Sequence, residues 1–233
     1  MALPLTTDQP DRAVPPHARS MARDFILARL GSFFAFAPLA LWTIVHLWHQ
    51  LAAYQPENVR AVAWQTEVEH HSSDAGAWLT FIVVLFPLVW HTVWGIGRMF
   101  KSRPAVANRG FSNLRYVIQR LSAIGLLLFL GAHLYLAWFK PRFLEGRPES
   151  FEDIAFEMHS HTPTLLVYVL GILAISYHLA NGLWSFLSMG WGVTVSKSAL
   201  AWTEKVALVF FLFLLVIGWA AVYGLYSGGA AYG

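Results

Sequence analysis

The chain has 233 residues, 57% of them hydrophobic and 12% charged, with a formal net charge of +3 and a mean hydropathy of +0.50. That balance excludes a water-soluble globular domain and points to a chain whose solvent is lipid. It has no cysteine, which excludes disulfides, thiolate-held iron–sulfur clusters and thioether-linked haem within this chain.

Residues 1–24 are polar, hold Pro4, Pro10, Pro15 and Pro16, and carry Arg12, Arg19 and Arg23, which predicts a cytoplasmic tail. A cleaved secretory leader is not expected, because the apolar run behind the tail is too long and no small-residue cleavage site closes it. Five apolar runs follow, at about 26–50, 77–99, 116–139, 163–188 and 203–226. Each supplies the ~20 residues that cross ~30 Å of hydrocarbon as an α-helix. They are continuously apolar and lack the period of two that marks a strand. Pro38 and Pro87 fall inside the first two runs and predict kinks rather than ends. The expected fold is an all-α membrane protein, with a tail over 1–24 and one domain of five transmembrane helices over 25–233.

Twelve of the sixteen Lys and Arg fall on one side of such a bundle: Arg12, Arg19, Arg23, Arg29, Arg98, Lys101, Arg103, Arg109, Arg115, Arg120, Lys197 and Lys205. This bias predicts a cytoplasmic N-terminus and an outer C-terminus. The opposite connections are longer and acidic, with Glu57, Glu67, Glu69 and Asp74 in one and Glu145, Glu149, Glu152, Asp153 and Glu157 in the other. Segments 57–71 and 149–158 are expected to form short surface helices.

Of ten histidines, His46, His91, His133 and His178 fall one in each of the first four runs. A single imidazole in lipid commonly does no more than hydrogen-bond across helices. One in each of four successive helices is a pattern. With the chain weaving at ~1.5 Å per residue, His46 and His133 share the outer half, and His91 and His178 the cytoplasmic half. Two imidazoles at each of two depths suit two b haems, each held axially by a histidine pair from facing helices. Zinc fits less well without carboxylate or thiolate ligands, and a proton relay lacks its usual carboxylate chain. Gly95, Gly97, Gly125, Gly131 and Gly171 could thin the helices around a macrocycle, or simply pack helices closely. Arg29, Ser32, Gln119 and Arg120 open two spans on the cytoplasmic side and are candidate partners for the inner haem's propionates; Lys140 and Arg142 are candidates for the outer one's. Anchoring of helix ends at the headgroups is the competing reading for the arginines.

The string His178-Leu179-Ala180-Asn181-Gly182-Leu183-Trp184-Ser185-Phe186, followed by Trp191-Gly192-Val193-Thr194-Val195, is distinctive. So is its order after Arg29-Leu30-Gly31-Ser32, Val45-His46-Leu47, Phe86-Pro87-Leu88-Val89-Trp90-His91 and Gln119-Arg120-Leu121-Ser122. In these pieces the chain resembles, over nearly its whole length, the dihaem cytochrome b membrane-anchor subunit of succinate:quinone oxidoreductases, the single-chain five-helix type. The resemblance implies a subunit of a succinate dehydrogenase or fumarate reductase in the cytoplasmic membrane of a prokaryote. Its expected partners are a flavoprotein and an iron–sulfur subunit at the cytoplasmic face, which alone carry FAD and the clusters and on which succinate reacts. Electrons would pass to menaquinone. A higher oligomer of the complex is left open, and no nucleic-acid partner is expected. The four ligands carry over onto His46 with His133 (outer haem iron) and His91 with His178 (inner haem iron). No catalytic residue is assigned, but Glu67 and Glu69 are quinone-site candidates, against the simpler reading of a solvated acidic loop. Some relatives place a glutamate two residues before the fourth ligand; here that position is Ser176, which puts that proton route in doubt. The alternatives are a dihaem anchor of a hydrogenase or formate dehydrogenase, and a haem-free anchor or transporter.

Overall fold

The computed structural model describes residues 16–72, 74–101, 111–190, 194 and 196–233. Most of the tail, the basic connection with Arg103 and Arg109, and the Trp191-Gly192-Val193 piece lie outside the described residues.

Among the described residues every regular element is helical. Helix α1 (Pro16–Phe34), a π-helical stretch Ala35–Ala40, α2 (Leu41–Gln50) and a 3-10 turn Leu51–Tyr54 follow one another, and Arg23–Tyr54 is the first span. Helix α3 (Glu57–Ser72) leads to α4 (Asp74–Thr80), a π-helical stretch Phe81–Leu85 and α5 (Phe86–Lys101), with the second span at Trp78–Phe100. Helix α6 (Phe111–Leu134) continues into a π-helical stretch Tyr135–Leu144, giving a third span Leu114–Leu144. Helices α7 (Phe151–Ser160), α8 (Thr162–Ser185) with a π-helical end Phe186–Gly190, and α9 (Lys197–Gly229) complete the chain; the fourth and fifth spans are Thr162–Ser188 and Lys197–Gly229.

The spans outrun the apolar runs for local reasons. Ser196 caps α9, its hydroxyl accepting from the Ala199 N–H at 3.1 Å, so the helix begins six residues ahead of its apolar stretch. At 33 residues, α9 is ~50 Å long by its rise, more than ~30 Å of hydrocarbon needs, so it tilts or protrudes. The third span passes through Pro141 because the ladder widens there. Pro141 has no N–H to offer the Ala137 carbonyl, which instead accepts from the Arg142 guanidinium at 3.3 Å. Pro38 lies inside a π-helical stretch and Pro87 just after one, so at each the missing backbone bond is absorbed by a wide turn.

Helix α8 is central, packed on α6 and on α9. Helix α1 packs on α5, and α9 also lies against α2, α7 and the Leu51–Tyr54 turn. The expected surface helix at 149–158 is instead a core element. Phe151, Ile154, Ala155 and Met158 of α7 are all buried, at helical spacing, and join Leu47, Trp64, Leu214, Val222 and Leu225 in one apolar cluster. Glycines on α9 allow that approach: a Cβ on Gly224 would strike the Ala53 carbonyl, and one on Gly229 the Ala155 carbonyl. Trp78, Leu128, Val209 and Val216 stand exposed, as lipid-facing side chains of a membrane bundle do.

Candidate functional site

The four span histidines meet in two pairs. His46 of α2 and His133 of α6 have ring centres 5.9 Å apart with planes at 70°. His91 of α5 and His178 of α8 have centres 6.2 Å apart with planes at 74°. The first pair lies toward the α3–α7 end, because His49, one turn on from His46, reaches Glu67 of α3. The second lies toward the other end, beside Gly31 of α1.

Each ring is braced. His46 stacks on Trp42 at 4.5 Å and 11°. His133 stacks on Phe129 at 5.6 Å and 24°. His91 lies against Trp94 at 6.0 Å, and Trp94 covers Gly31, where an added Cβ would come within 2.5 Å of the indole. The Nδ1 edges are also held. His91 Nδ1 faces the Gly31 carbonyl at 3.4 Å, His133 Nδ1 the Tyr168 hydroxyl at 3.1 Å, and His178 Nδ1 the Gln119 amide at 3.2 Å and the Ser122 hydroxyl at 3.4 Å. With Nδ1 occupied in these three rings, Nε2 is the nitrogen left to bind a metal.

The separations test whether iron fits. A metal–imidazole bond of about 2 Å, with each ring centre about 1.1 Å beyond its nitrogen, puts two rings on opposite sides of one metal about 6.2 Å apart. A direct N–H···N bond would draw the centres to about 5 Å. The observed 5.9 and 6.2 Å leave room for the first geometry and are also ordinary separations for edge-on ring packing. Rotation about a shared axis leaves the interplanar angle free, so 70° and 74° are compatible with it. No group of three His, Cys, Asp or Glu that could hold a metal ion occurs among the described residues, so each pair offers two imidazoles, the donor set of a bis-histidine haem. The indole nitrogens of Trp90 and Trp184 are buried without an acceptor among the described residues, which suits an anionic group at that end.

The other candidates are scattered. Arg29 lies over the Phe25 ring at 4.7 Å, and the Ser32 hydroxyl donates to the Ala28 carbonyl. Arg120 donates to the Met99 carbonyl at 3.0 Å and covers Tyr116. Gln119 is turned to His178 and accepts from Asn181 at 2.9 Å. Lys140 pairs with Glu145, and Arg142 with Glu149. Glu67 pairs with His49 at 3.1 Å, while the Glu69 side chain lies outside the described residues. Ser176 is fully buried, and two residues from His178 it points about 200° away around α8. Of the glycines, Gly95, Gly97 and Gly131 face open space, a Cβ added at Gly125 would lie 3.6 Å from Ala174, and Gly171 is covered by the Phe129 ring. Sequence reading missed Tyr168 and His49; the signal for His49 was its place one turn after His46.

A five-span helical membrane protein with two imidazole pairs inside its spans is the class this fold and site define. The chain is 28% identical over 207 residues to the succinate dehydrogenase cytochrome b558 subunit of Bacillus subtilis (strain 168), an alignment covering 86% of this chain and 96% of that protein. No protein-family profile matches the chain. The resemblance read from the motifs therefore has a curated homologue behind it, and the five apolar spans fit a membrane anchor, multi-pass in the cytoplasmic membrane.

Proposed function

We propose that this chain is the cytochrome b anchor of a succinate dehydrogenase, joining the complex's iron–sulfur subunit to menaquinone through two b haems. The single observation that carries the reading is the pairing of four span histidines at 5.9 and 6.2 Å in a homologue of a cytochrome b558 subunit. His91 and His178 hold the haem nearer the cytoplasm, and His46 and His133 the one nearer the outside. Bound haem supplies reversible one-electron chemistry. The chain's residues hold His91, His133 and His178 by Nδ1, stack His46 on Trp42 and His133 on Phe129, and keep both pairs half-buried within apolar spans, which would set ligand basicity and limit access of water. Arg29, Ser32 and Arg120 are the proposed donors to the inner propionates, and Lys140 and Arg142 to the outer ones. Glu67 Oε2 lies 3.1 Å from His49 Nδ1, one turn beyond His46, and these two are the proposed groups for proton exchange with quinone, Glu69 being the second candidate.

The flavoprotein and iron–sulfur partners dock at the cytoplasmic face, and succinate reacts on the flavoprotein. A pyridine haemochrome assay on the purified complex, with its subunits identified, tests this. Two haems per chain and a co-purifying flavoprotein are expected. His91→Ala and His178→Ala should each leave one haem; unchanged haem content in both would overturn the ligand assignment. Nickel or molybdenum in the partners would instead indicate a hydrogenase or formate dehydrogenase anchor, and absence of haem a plain anchor.

A further inference from the structure

The ligand rings are not held alike. His133 meets a phenol, the hydroxyl of Tyr168 at 3.1 Å. Tyr168 is buried and stands edge-on both to Phe129 at 5.3 Å and to His133 at 5.7 Å. His178 meets an amide, and that amide is fixed by a second one, since Asn181 donates to Gln119 Oε1 at 2.9 Å. Asn181 and His178 lie one turn apart on α8, and Gln119 on α6 answers both. This gives the His178-Leu179-Ala180-Asn181 string a physical reason for its spacing.

We propose that Tyr168 and Gln119 are positioning residues, one for each haem, which hold the Nδ1 edges of His133 and His178 and set the two haem potentials independently. The proposal rests on the two-haem reading above. A metal on Nε2 leaves the proton on Nδ1, so the partner at Nδ1 must accept. The Tyr168 oxygen accepts directly. The Gln119 amide accepts through its carbonyl oxygen after a half-turn about its last bond. The same half-turn at Asn181 preserves their mutual bond; the bond from Gln119 to the His178 carbonyl is given up, and the Gln119 oxygen must tilt from that carbonyl toward Nδ1. An acceptor at Nδ1–H raises the basicity of the ligating nitrogen and favours the ferric state, so its loss raises the potential. A phenol oxygen and an amide carbonyl differ as acceptors, and they sit on different helices beside different pairs. Each haem therefore has its own control.

Potentiometric titration of the purified complex, followed at the reduced b-type absorption band, tests this with Tyr168→Phe, Gln119→Leu and Gln119→Glu. Two one-electron steps are expected in the unsubstituted complex. Tyr168→Phe should raise one step and leave the other in place. Gln119→Leu should raise the other step, and Gln119→Glu, a stronger acceptor, should lower that same step. Opposite shifts from two substitutions at one position would not arise from packing alone. The proposal is overturned if Tyr168→Phe and Gln119→Leu move the same step, if neither step moves, or if both Gln119 variants shift in one direction. An unsubstituted complex without two haems would instead end the parent reading.

Discussion

His91 shows how much one residue's place depends on another that has no side chain. Gly31 offers His91 its carbonyl and lets Trp94 lie flat on its backbone. A methyl group there must displace the indole, and overpacking of this kind costs about 1–3 kcal/mol. Gly31→Ala is therefore expected to lower the melting temperature of the purified protein and, on the proposed two-haem reading, to weaken the His91–His178 site selectively, read as loss of one of two redox steps. At the other end, Asp153 closes a capping box on α7 with Ser150 and also pairs with Arg147. Its carboxyl is held down at about 2, first by the hydrogen bond from Arg147, against an upward push from desolvation that ranks next, and then by the hydrogen bonds from Ser150 and the charge of Arg147. Arg147 is correspondingly raised by the same bond. A depressed carboxylate stabilises the fold fully above the ordinary range near 4 and loses that contribution as pH falls through about 2. The pair is largely exposed, so the effect is screened and small. Ser150→Ala, which removes the cap itself, should cost about 1 kcal/mol. Asp153→Asn should flatten the pH dependence of thermal stability between about pH 4 and 2 relative to the parent protein.

Single elements explain how connections far from the pairs still shape them. Helix α3 is latched to the end of α2 twice, by His49 with Glu67 and by the Trp64 indole N–H donating to Gln50 at 2.8 Å. Trp64 is buried and meets Phe151 of α7 edge-on. Trp64→Ala removes the largest side chain in that joint and should destabilise by about 3–5 kcal/mol. The expected readout is faster proteolytic cleavage in the 55–76 connection. If α3 also positions Glu67, quinone-linked turnover should fall while haem content stays at the parent value. Unchanged cleavage would show that α3 is held by something other than this joint. The π-helical stretches act at the same scale. Each of the first four spans carries one, and α9, which carries none of the paired histidines, has none. A wide turn changes the rotation of everything beyond it, so Ala35–Ala40 helps decide which way His46 faces.

For the whole molecule, the basic residues predict which end of the bundle meets the cytoplasm. The chain has no cysteine, so single-cysteine variants can be labelled without background. Ser198→Cys, at the start of α9, should be protected from an impermeant maleimide in intact cells, and Glu152→Cys, on α7, should react. The reverse pattern would invert the bundle and put the partner subunits at the α3–α7 end. The apolar cluster is concentrated at that end, where α7 and α9 close over the Leu51–Tyr54 turn. The exposed faces of the spans are mostly apolar and give little rotational preference of their own; the glycine contacts of α9 supply one.

Much of this was legible in the chain alone. Long apolar runs can satisfy their backbone in lipid only as helices, so the five spans follow from composition and length. His46, His91, His133 and His178, one in each of the first four spans at depths that alternate with a weaving chain, gave the pairing, because helical rise converts sequence position into height. Helix α7 was misjudged as a surface element because its polar neighbours masked four core positions. What height cannot give is rotation. Whether Gln119 faces a ligand ring or the membrane edge, whether Glu67 finds His49, and whether a phenol stands behind His133 depend on wide turns and close glycine contacts between residues tens of positions apart. Those contacts exist only once the helices have packed, and they decide which nitrogen of each imidazole is left to bind.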